Sequence, residues 1–380
     1  MPQWDAETAV VGLGAWGAAA LWRLAVRGVD VLGIDRRPPG QAPGSSHGGS
    51  LAFRVAGPEH PGLVPSAHRS RELWTELEDT GRTKLFVPSG GLLIGPEHGR
   101  VAGGALRAAR AHGLRVRTYT ATALRFQHPR HTGVPGHHMG VWDPCAGLVR
   151  ADHAVRTTIA VARTAGARVS ADTRVTSVEP VPGGVQLHTP HGPVRVRQAV
   201  LAAGPGLPAL LPGLPLDTVR TSVTWFRPLE PSGDFEVDCF PPFLRELDDG
   251  RTLWGSGREG GHDVRLGLED RGVAAKPVDP EEDDRSVTPD DWRDLARLLP
   301  AKIPGLAPSP ARIAAGVRTR TPDDRPVIGR PDGDPRLIVA TPTAPDDLTQ
   351  APAVGETVAD LVQGVPPKTP LDFLSPNRFT

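Results

Sequence analysis

The residues whose types and spacing best suit chemistry lie near the start of the chain. Residues 8–11 form a mainly apolar run rich in β-branched residues, and glycines follow at positions 12, 14 and 17 in the pattern Gly-x-Gly-x-x-Gly. The sequence then predicts a helix over 18–27 and a second strand that ends at Asp35, whose carboxylate suits a ribose diol. This order of strand, glycine turn, helix, strand and acid predicts a βαβ unit that binds a dinucleotide.

Each residue of the glycine turn has a physical role in that prediction. Gly12 allows the tight turn, Gly14 lets the backbone approach a pyrophosphate, and Gly17 lets helix and strand pack closely. Between them, Ala15 and Trp16 stand where the N–H groups of a helix start point at bound phosphates.

Composition narrows the class of protein. The 380 residues exceed one ordinary core, so we expect two interleaved domains. Lysine plus arginine and aspartate plus glutamate number 43 each, and this balance predicts neither a nucleic-acid nor a membrane partner. The first residues resemble no secretory signal and no apolar run has transmembrane length, so we expect a cytoplasmic protein.

Metal and disulfide chemistry are not expected from the sequence. The two cysteines, Cys145 and Cys239, are too few and too far apart for a metal cage or a disulfide framework. The pair His137-His138, and His128 with His131, have no third carboxylate at helical spacing. We therefore predict no metal.

The rest of the chain alternates between helical and extended patterns. The predicted helices cover 64–80, 100–112, 152–164 with Asp152 as N-cap, 290–299 and 354–361. The predicted strands cover 90–95, 168–170, 173–178, 185–189, 194–203, 219–227, 253–257, 264–268, 326–329 and 337–340. The strand over 194–203 ends at a glycine, as a parallel strand that returns to a nucleotide site would.

Several motifs occur in an order that identifies a family resemblance. They are the glycine turn, Gly44-Ser45-Ser46-His47-Gly48, the segment 71–78, Gly147-Leu148-Val149, Thr173-Arg174-Val175, Ala202-Ala203-Gly204, the segment 321–329 and Val354-Gly355-Glu356. Over nearly its whole length the chain resembles the sarcosine oxidase and N-methyltryptophan oxidase group of the glycine/D-amino-acid oxidase flavoproteins. The resemblance implies FAD-dependent oxidation of a C–N bond in an amino acid or secondary amine, with O2 as acceptor.

The resemblance also implies a fold and a set of cofactor residues. The fold is α/β (α+β overall), with a doubly wound Rossmann-type FAD-binding domain over 1–85, 145–215 and 312–380. An inserted substrate domain over 86–144 and 216–311 is built on an antiparallel sheet. The implied FAD residues are Gly12, Gly14, Ala15, Trp16, Gly17, Asp35, Arg36, Ser45, Ser46, His47, Arg174, Val175, Ala203, Gly204, Asp346 and Leu348.

The implied catalytic residues are Arg54, Arg265 and His47. In the family two cations hold the substrate carboxylate; one matches Arg54 and the other falls at Thr349. His47 could touch substrate or flavin, whereas a second family arginine near the flavin falls at Leu51. The implied mechanism is hydride transfer from the carbon that bears nitrogen to flavin N5, while Arg54 holds an acid group.

The sequence departs from the family at three places that matter for the reaction. The cysteine that tethers the flavin falls at Gly316, so we expect non-covalent FAD. The lysine that helps O2 react falls at Arg265, whose planar guanidinium is not a compact ammonium, so we expect weakened oxygen reactivity. The glycine-rich loop that faces the pyrimidine edge of the flavin is replaced by residues 341–348, in which the prolines at 342 and 345 have no N–H to donate.

The pair Asp346-Asp347 in that loop has two interpretations. The carboxylates repel the negative charge of reduced flavin, or they face solvent and cap the last helix. Two functions therefore stay open. One is an atypical FAD-dependent oxidoreductase acting on a small amine, imine or amino-acid-like substrate, as a monomer or weak homo-oligomer. The other is a non-redox or catalytically inactive protein on the same fold, such as a partner subunit.

Overall fold

The computed structural model describes residues 4–40, 49–259, 261, 263–269, 277–280, 285–332, 334–369 and 372–379. The described strands are β1 (Ala6–Val11), β2 (Val31–Ile34), β3 (Ser50–Phe53), β4 (Phe86–Pro88), β5 (Gly91–Pro96), β6 (Arg117–Thr120), β7 (His138–Asp143), β8 (Gly147–Arg150), β9 (Arg168–Ser170), β10 (Ser177–Val181), β11 (Gly184–His188), β12 (Val194–Leu201), β13 (Asp217–Phe226), β14 (Phe243–Glu246), β15 (Thr252–Ser256), β16 (Val264–Glu269), β17 (Arg312–Arg320), β18 (Val327–Gly329) and β19 (Leu337–Thr341). The helices are α1 (Ala15–Val26), α2 (Val64–Gly81), α3 (Val101–His112), α4 (Ala121–Gln127), α5 (Ala151–Thr164), α6 (Leu207–Leu210), α7 (Arg293–Lys302) and α8 (Ala351–Gln363).

The first sheet is mainly parallel, with antiparallel additions. Its strands run in the order β10-β11-β12-β1-β2-β9, and β19 pairs with the second half of β12. β19, β12, β1, β2 and β9 are parallel, whereas β10, β11 and β18 form antiparallel pairs. Because the carboxyl ends of parallel strands meet at one edge, the segments that follow β1, β2, β12 and β19 lie there together.

Both faces of this sheet are covered by apolar side chains. On one face α1 packs against α5 and α8, and Trp22, Leu21 and Leu24 of α1 are fully buried. On the other face β1, β12 and β19 contribute to a second cluster with Leu207 of α6. A sheet buried on both faces is typical of doubly wound folds, and the predicted fold class is confirmed.

The second sheet is antiparallel apart from one pair. Its eight strands run in the order β17-β13-β16-β15-β14-β5-β7-β6, with β14 and β5 parallel. α4 and α7 contribute to a cluster on this sheet that includes Phe226, Phe243 and Leu299, and α3 contributes to another with Leu93 and Val141. A third sheet, β3-β8-β4, has three strands. The predicted domain boundaries stay a prediction.

Some local predictions are wrong. The helix predicted over 18–27 begins at Ala15, and the helix predicted over 290–299 begins at Arg293 after a 3₁₀ turn over 289–291. Residues 173–176 are not part of a strand, since β10 begins at Ser177 and Thr173 instead donates its backbone N–H to Asp35. The helix predicted from Asp152 begins at Ala151 with Arg150 at the N-cap, so Asp152 lies in the first turn. Within the part of the chain that the structure describes, every helix is too short or too polar to cross a bilayer.

Candidate active site

The turn between β1 and α1 is shaped by its glycines. Gly12 has a φ of +91°, and a Cβ there would lie 2.5 Å from the Ala202 carbonyl oxygen. A Cβ on Gly17 would lie 1.8 Å from the Gly12 carbonyl oxygen. At Gly14, apart from the chain neighbours, no described residue lies within 4 Å of the Cβ position. Packing therefore requires two of the glycines, and the third leaves room for a ligand at the start of α1.

The acid that follows β2 lies against the glycine turn. Its Oδ2 atom accepts a hydrogen bond from the backbone N–H of Leu13 at 2.6 Å. The Asp35 carbonyl oxygen accepts the N–H of Thr173 at 2.8 Å, which brings the next residues to the same edge of the sheet. There Val175 is buried and Arg174 is exposed. The motif Thr173-Arg174-Val175 and the acid are thus neighbours, although the sequence separates them widely.

Most of the predicted cofactor residues lie along one edge of the first sheet. Ala202 donates its N–H to the Val11 carbonyl at 2.8 Å, so the segment after β12 lies beside the glycine turn. The predicted residues placed along this edge are Gly12, Gly14, Ala15, Trp16, Gly17, Asp35, Arg36, Arg174, Val175, Ala203 and Gly204. Ser45, Ser46 and His47 lie outside the described residues. The open position at Gly14 and the acid beyond β2 fit a dinucleotide.

The segment after β19 contacts the start of α1. Trp16 Nε1 donates to the carbonyl oxygen of Asp347 at 2.9 Å. The Asp347 carboxylate accepts the backbone N–H groups of Thr343 and Ala344, each at 2.8 Å from Oδ2. An ionised carboxylate that receives two amides is charge-assisted and well held. Asp347 therefore closes the turn at 343–344.

The expectation that the acid pair caps the last helix is wrong for Asp347. A 3₁₀ segment, Pro345–Gln350, precedes α8, and the helix begins at Ala351 with Gln350 at the N-cap. The Asp347 carboxylate is bound to the turn before this segment. The structure describes Asp346 and Leu348 only as backbone of the 3₁₀ segment. Repulsion of reduced flavin by the acids stays a prediction.

A cavity of about 360 Å³ lies between the segment after β3, the second sheet and the 3₁₀ segment. Apolar side chains such as Leu63 and Trp254 form part of its wall. Four arginines face three acids among its described lining residues, which leaves the cavity slightly positive and suits a substrate with an anionic group. The charged lining residues are Arg54, Arg100, Arg220, Arg318, Glu59, Glu269 and Asp347.

Arg54 lines this cavity, as a carboxylate anchor should. Its side chain is 9% exposed, and its Nη2 atom lies 3.8 Å from Glu59 Oε1. Thr349, at the position of the second family cation, lines the same cavity. The Thr349 carbonyl oxygen accepts a hydrogen bond from Trp74 Nε1 at 2.8 Å, which fixes the backbone there. The structure therefore brings these two predicted positions together, one with its charge and one without.

Arg265, on β16, is buried beside the cavity wall. Its guanidinium carbon lies 4.8 Å from the centre of the Trp254 ring, and its Nη1 atom donates to the Ser50 carbonyl oxygen at 3.2 Å. Ser50 Oγ and Arg150 Nε in turn donate to the carboxylate of Glu259, each at 2.5 Å. Arg265 is thus held by an aromatic face and by a backbone carbonyl that belongs to a charged network.

Gly316, at the position of the cysteine that tethers the flavin in the family, faces open space. Gly316 pairs with Thr221 across β17 and β13, and a Cβ on it would meet only Thr221 Cγ2, at 4.0 Å, among the described residues beyond its chain neighbours. Arg318, two residues on and so on the same face, lines the cavity, donates to the Thr343 carbonyl oxygen at 2.8 Å and lies 3.6 Å from Glu269. A side chain at position 316 would therefore be tolerated on the cavity side.

Sequence reasoning missed several charged groups of the site. His60 lines the cavity, its ring stacks on Phe373 with centroids 4.2 Å apart, and burial together with the charge of Arg325 lowers the pKa of His60. Arg318 and Glu259 also went unnoticed. No local spacing could have revealed them, because each meets its partner only through the fold.

Comparison with known proteins assigns nearly the whole chain to one family. A family profile described as FAD dependent oxidoreductase matches residues 7–361. Monomeric sarcosine oxidase of Streptomyces avermitilis is 30% identical over 378 residues, covering 98% of this chain and 97% of that protein. N-methyl-L-tryptophan oxidase of Salmonella typhimurium is 28% identical over 372 residues, covering 98% and 97%.

Solved structures share the fold. NikD, an unusual amino acid oxidase essential for nikkomycin biosynthesis, superposes with a TM-score of 0.83 at 22% identity, covering 98% of each chain. L-proline dehydrogenase from P. horikoshii gives a TM-score of 0.83 at 21% identity, covering 100% of this chain and 98% of that one. With the glycine turn, the acid after β2 and a charged cavity in place, the chain belongs to the family of FAD-dependent oxidoreductases.

Proposed function

We propose that this protein oxidises a C–N bond of a small amine, imine or amino-acid-like substrate and holds FAD non-covalently. The observation that carries the proposal is the hydrogen bond from Trp16 to Asp347, which joins the glycine turn to the wall of the charged cavity. Through this contact a dinucleotide at the turn and a substrate in the cavity would be neighbours. Relatives named for sarcosine and N-methyl-L-tryptophan support an N-substituted amino acid as the substrate class.

The roles of the residues follow from their positions. When bound, FAD supplies the acceptor for two electrons and the hydrogen removed from the carbon that bears nitrogen. Gly12, Gly14 and Asp35 would hold its pyrophosphate and ribose. Arg54 would bind the acid group of the substrate with charge-assisted hydrogen bonds, and the apolar wall around Trp254 would exclude water. Loss of a hydride from that carbon to the acceptor, and of a proton from the nitrogen to solvent, would leave an imine, which water would hydrolyse to a carbonyl compound and an amine.

Two finer parts of the proposal concern the flavin link and oxygen. Gly316 offers no sulfur for a tether, and the two cysteines are exposed elsewhere, which supports a non-covalent cofactor. Arg265 spreads its charge over a planar group that stacks on Trp254 and binds the Ser50 carbonyl, so it is a poorer electrostatic partner for reduced oxygen than a compact ammonium. We propose slow peroxide formation, and a monomer or weak homo-oligomer in the cytoplasm.

A specific observation also favours the second candidate, a protein of this fold that does not carry out redox chemistry. The Asp347 carboxylate occupies the N–H groups of Thr343 and Ala344. Amides that already hold an internal anion are not free to stabilise a second anion. Such a protein would bind its nucleotide for structure, or act on a metabolite without electron transfer.

One series of measurements separates the two candidates. The purified protein is reconstituted with excess FAD, its visible spectrum is recorded, and it is precipitated with acid. We expect a yellow protein whose colour stays in the supernatant, and anaerobic bleaching by an N-methylated or cyclic amino acid. A coloured pellet would refute the non-covalent link. A protein that takes up no flavin, or whose flavin no amine reduces, would refute the oxidoreductase and leave the second candidate.

A further inference from the structure

We propose that His137, His138 and Asp248 form a binding site for a divalent transition-metal ion, with Zn²⁺ as the occupant. The two imidazoles and the carboxylate each offer one ligand atom, and the three atoms lie within 4.8 Å of one another. None of the three residues is among the described residues that line the charged cavity. The site is therefore separate from the proposed chemistry.

Two parts of the fold bring the three ligands together. His138 is the first residue of β7, and His137 immediately precedes it. Asp248 belongs to the turn between β14 and β15. The Oδ1 atom of Asp248 lies 3.6 Å from His138 Nε2 and 4.0 Å from His137 Nε2. Both imidazoles thus approach one carboxylate oxygen from neighbouring positions of the chain.

The distances are close to those of a zinc site. Zinc bonds of about 2.0–2.1 Å place the ligand atoms of a tetrahedral site about 3.3 Å apart. The separations of 3.6 and 4.0 Å exceed that value by about 0.3 and about 0.7 Å, and all three ligand atoms lie within 4.8 Å of one another. Small rotations of the exposed side chains would close the difference. Three protein ligands leave at least one position for water.

One ligand is fixed and two can adjust. The side chain of His138 is 2% exposed, whereas those of His137 and Asp248 are 68% and 60% exposed. The segment that leads to the histidines is anchored by buried Arg245, which donates to the carbonyl oxygens of Thr132 and Gly133 at 2.7 and 2.8 Å. A metal would therefore meet a prearranged backbone and would need to order only two side chains.

The types of the three ligands also suit a transition metal. Two imidazoles with one carboxylate favour zinc or its transition-metal neighbours over Mg²⁺ or Ca²⁺, which prefer oxygen ligands. The Arg245 cation nearby opposes a metal, while the Asp248 and Glu246 carboxylates attract it.

One feature limits the affinity. His138 Nδ1 is buried and has no hydrogen-bond partner among the described residues. Metal-bound histidines usually donate this second N–H to an acceptor that orients the ring, and the loss of such an acceptor typically costs about 10–100-fold in affinity. We therefore expect a dissociation constant on the order of micromolar rather than nanomolar.

The sequence predicted no metal here because the third ligand is remote. Asp248 stands more than one hundred residues beyond His138 and reaches it only through the pairing of β5 with both β7 and β14. The strands that flank the Asp248 turn also line the charged cavity, through Leu244 and Trp254. A bound ion would tie this turn to the start of β7 and would thereby raise the melting temperature of the protein.

The test is a calorimetric titration of untagged, EDTA-treated full-length protein with ZnCl₂. The variants His137→Gln and Asp248→Asn each remove one exposed ligand. The matched control is His188→Gln, because His188 Nε2 also lies near a carboxylate, at 2.8 Å from Glu179, and belongs to no described three-ligand group. Melting temperatures without zinc establish that each variant is folded.

We expect one zinc ion per chain, at least about tenfold weaker binding in each ligand variant, and unchanged binding in the control. Zinc should raise the melting temperature of the wild type and of His188→Gln only. Absence of binding below about 100 µM zinc would refute the site, given the micromolar expectation. Equal binding by the wild type and both ligand variants would refute it too, as would an equal loss in the control.

Discussion

Replacing Asp347 by asparagine should raise the midpoint potential of the bound flavin. Asp347 lines the charged cavity, and its carboxylate accepts the N–H groups of Thr343 and Ala344. Asparagine has the same shape and one acceptor oxygen, so it can keep the turn while losing the negative charge. Because reduced flavin carries negative charge, removal of a nearby anion should favour reduction.

The dimensions of the cavity bound the size of the effect. A sphere of about 360 Å³ has a diameter of about 9 Å, so a group in contact with this space lies roughly 4–9 Å from Asp347. At an effective dielectric constant of 20, two unit charges at these distances interact by about 4 to about 2 kcal/mol. About 30 mV corresponds to 1.4 kcal/mol for a two-electron couple, so we expect an increase of about 40–90 mV.

The assay is an anaerobic redox titration of the FAD-loaded protein against a reference dye. Asp334→Asn provides the control, since it removes the same charge from a well-buried carboxylate that is bound to Arg336. Asp334 lies before the amino end of β19, whereas Asp347 lies beyond its carboxyl end. The control should shift the potential by less than about 10 mV. The length of β19 separates Asp334 from the cavity, and charge interactions over such a distance are largely screened.

An unchanged potential in Asp347→Asn would refute the reasoning, since the carboxylate would then lie too far from the flavin to act on it. An equal shift in both variants would refute it as well, because a general loss of charge would explain the result. A fall in potential would mean that the turn itself, rather than the charge, controls the flavin.

Three further predictions follow from particular contacts. Gly14→Val should fold normally yet bind no FAD by spectrophotometry. Gly17→Val should reduce the soluble yield, because only the side chain at position 17 would clash with the backbone. Arg265→Lys should speed reoxidation of reduced flavin by O2 about tenfold in stopped flow, and an unchanged rate would refute the role given to its shape. Burial raises the pKa of Glu356, but hydrogen bonds from Arg69 and Lys368 outweigh burial and lower the pKa to about 2. The stabilisation from this carboxylate is therefore complete above its ordinary pKa and is lost as pH falls from about 4.5 towards 2. Glu356→Gln should lower the free energy of unfolding by about 3 kcal/mol at pH 7 in urea and flatten that acid decline.

The nucleotide half of the fold was predictable because its signals are local. The apolar run, the three glycines and the acid after β2 lie within one short stretch, and the structure shows that packing alone requires Gly12 and Gly17. The first four residues of the strand predicted over 173–178 are not in a strand, for a long-range reason. The sequence around Thr173 is typical of a strand, but the Thr173 N–H is bound to the Asp35 carbonyl. Residues 173–176 therefore lie at the edge that follows β2 instead of in a sheet.

The electrostatics of the site could not be predicted, because its charged partners are distant in sequence. Glu259 meets Ser50 across 209 residues, and Arg318 meets Thr343 across 25. The acid at 347 was recognised as important, yet its partners were not, because a carboxylate that binds amides three and four residues earlier is a turn feature rather than a helix cap. The residue type determines the charge of a side chain, whereas the fold determines which groups lie near that charge.

The turn at Thr343 ties the proposed chemistry to the kind of substrate this protein can oxidise. Asp347 accepts the Thr343 N–H while Arg318 donates to the Thr343 carbonyl oxygen, so opposite charges hold both polar groups of one residue. Amide donors stabilise a developing anion because they are fixed in place and free to donate. Here the donors are fixed but already bound to a carboxylate. In the proposed oxidoreductase this arrangement lowers the driving force for reduction, so the substrate must be one whose C–N bond gives up its electrons readily.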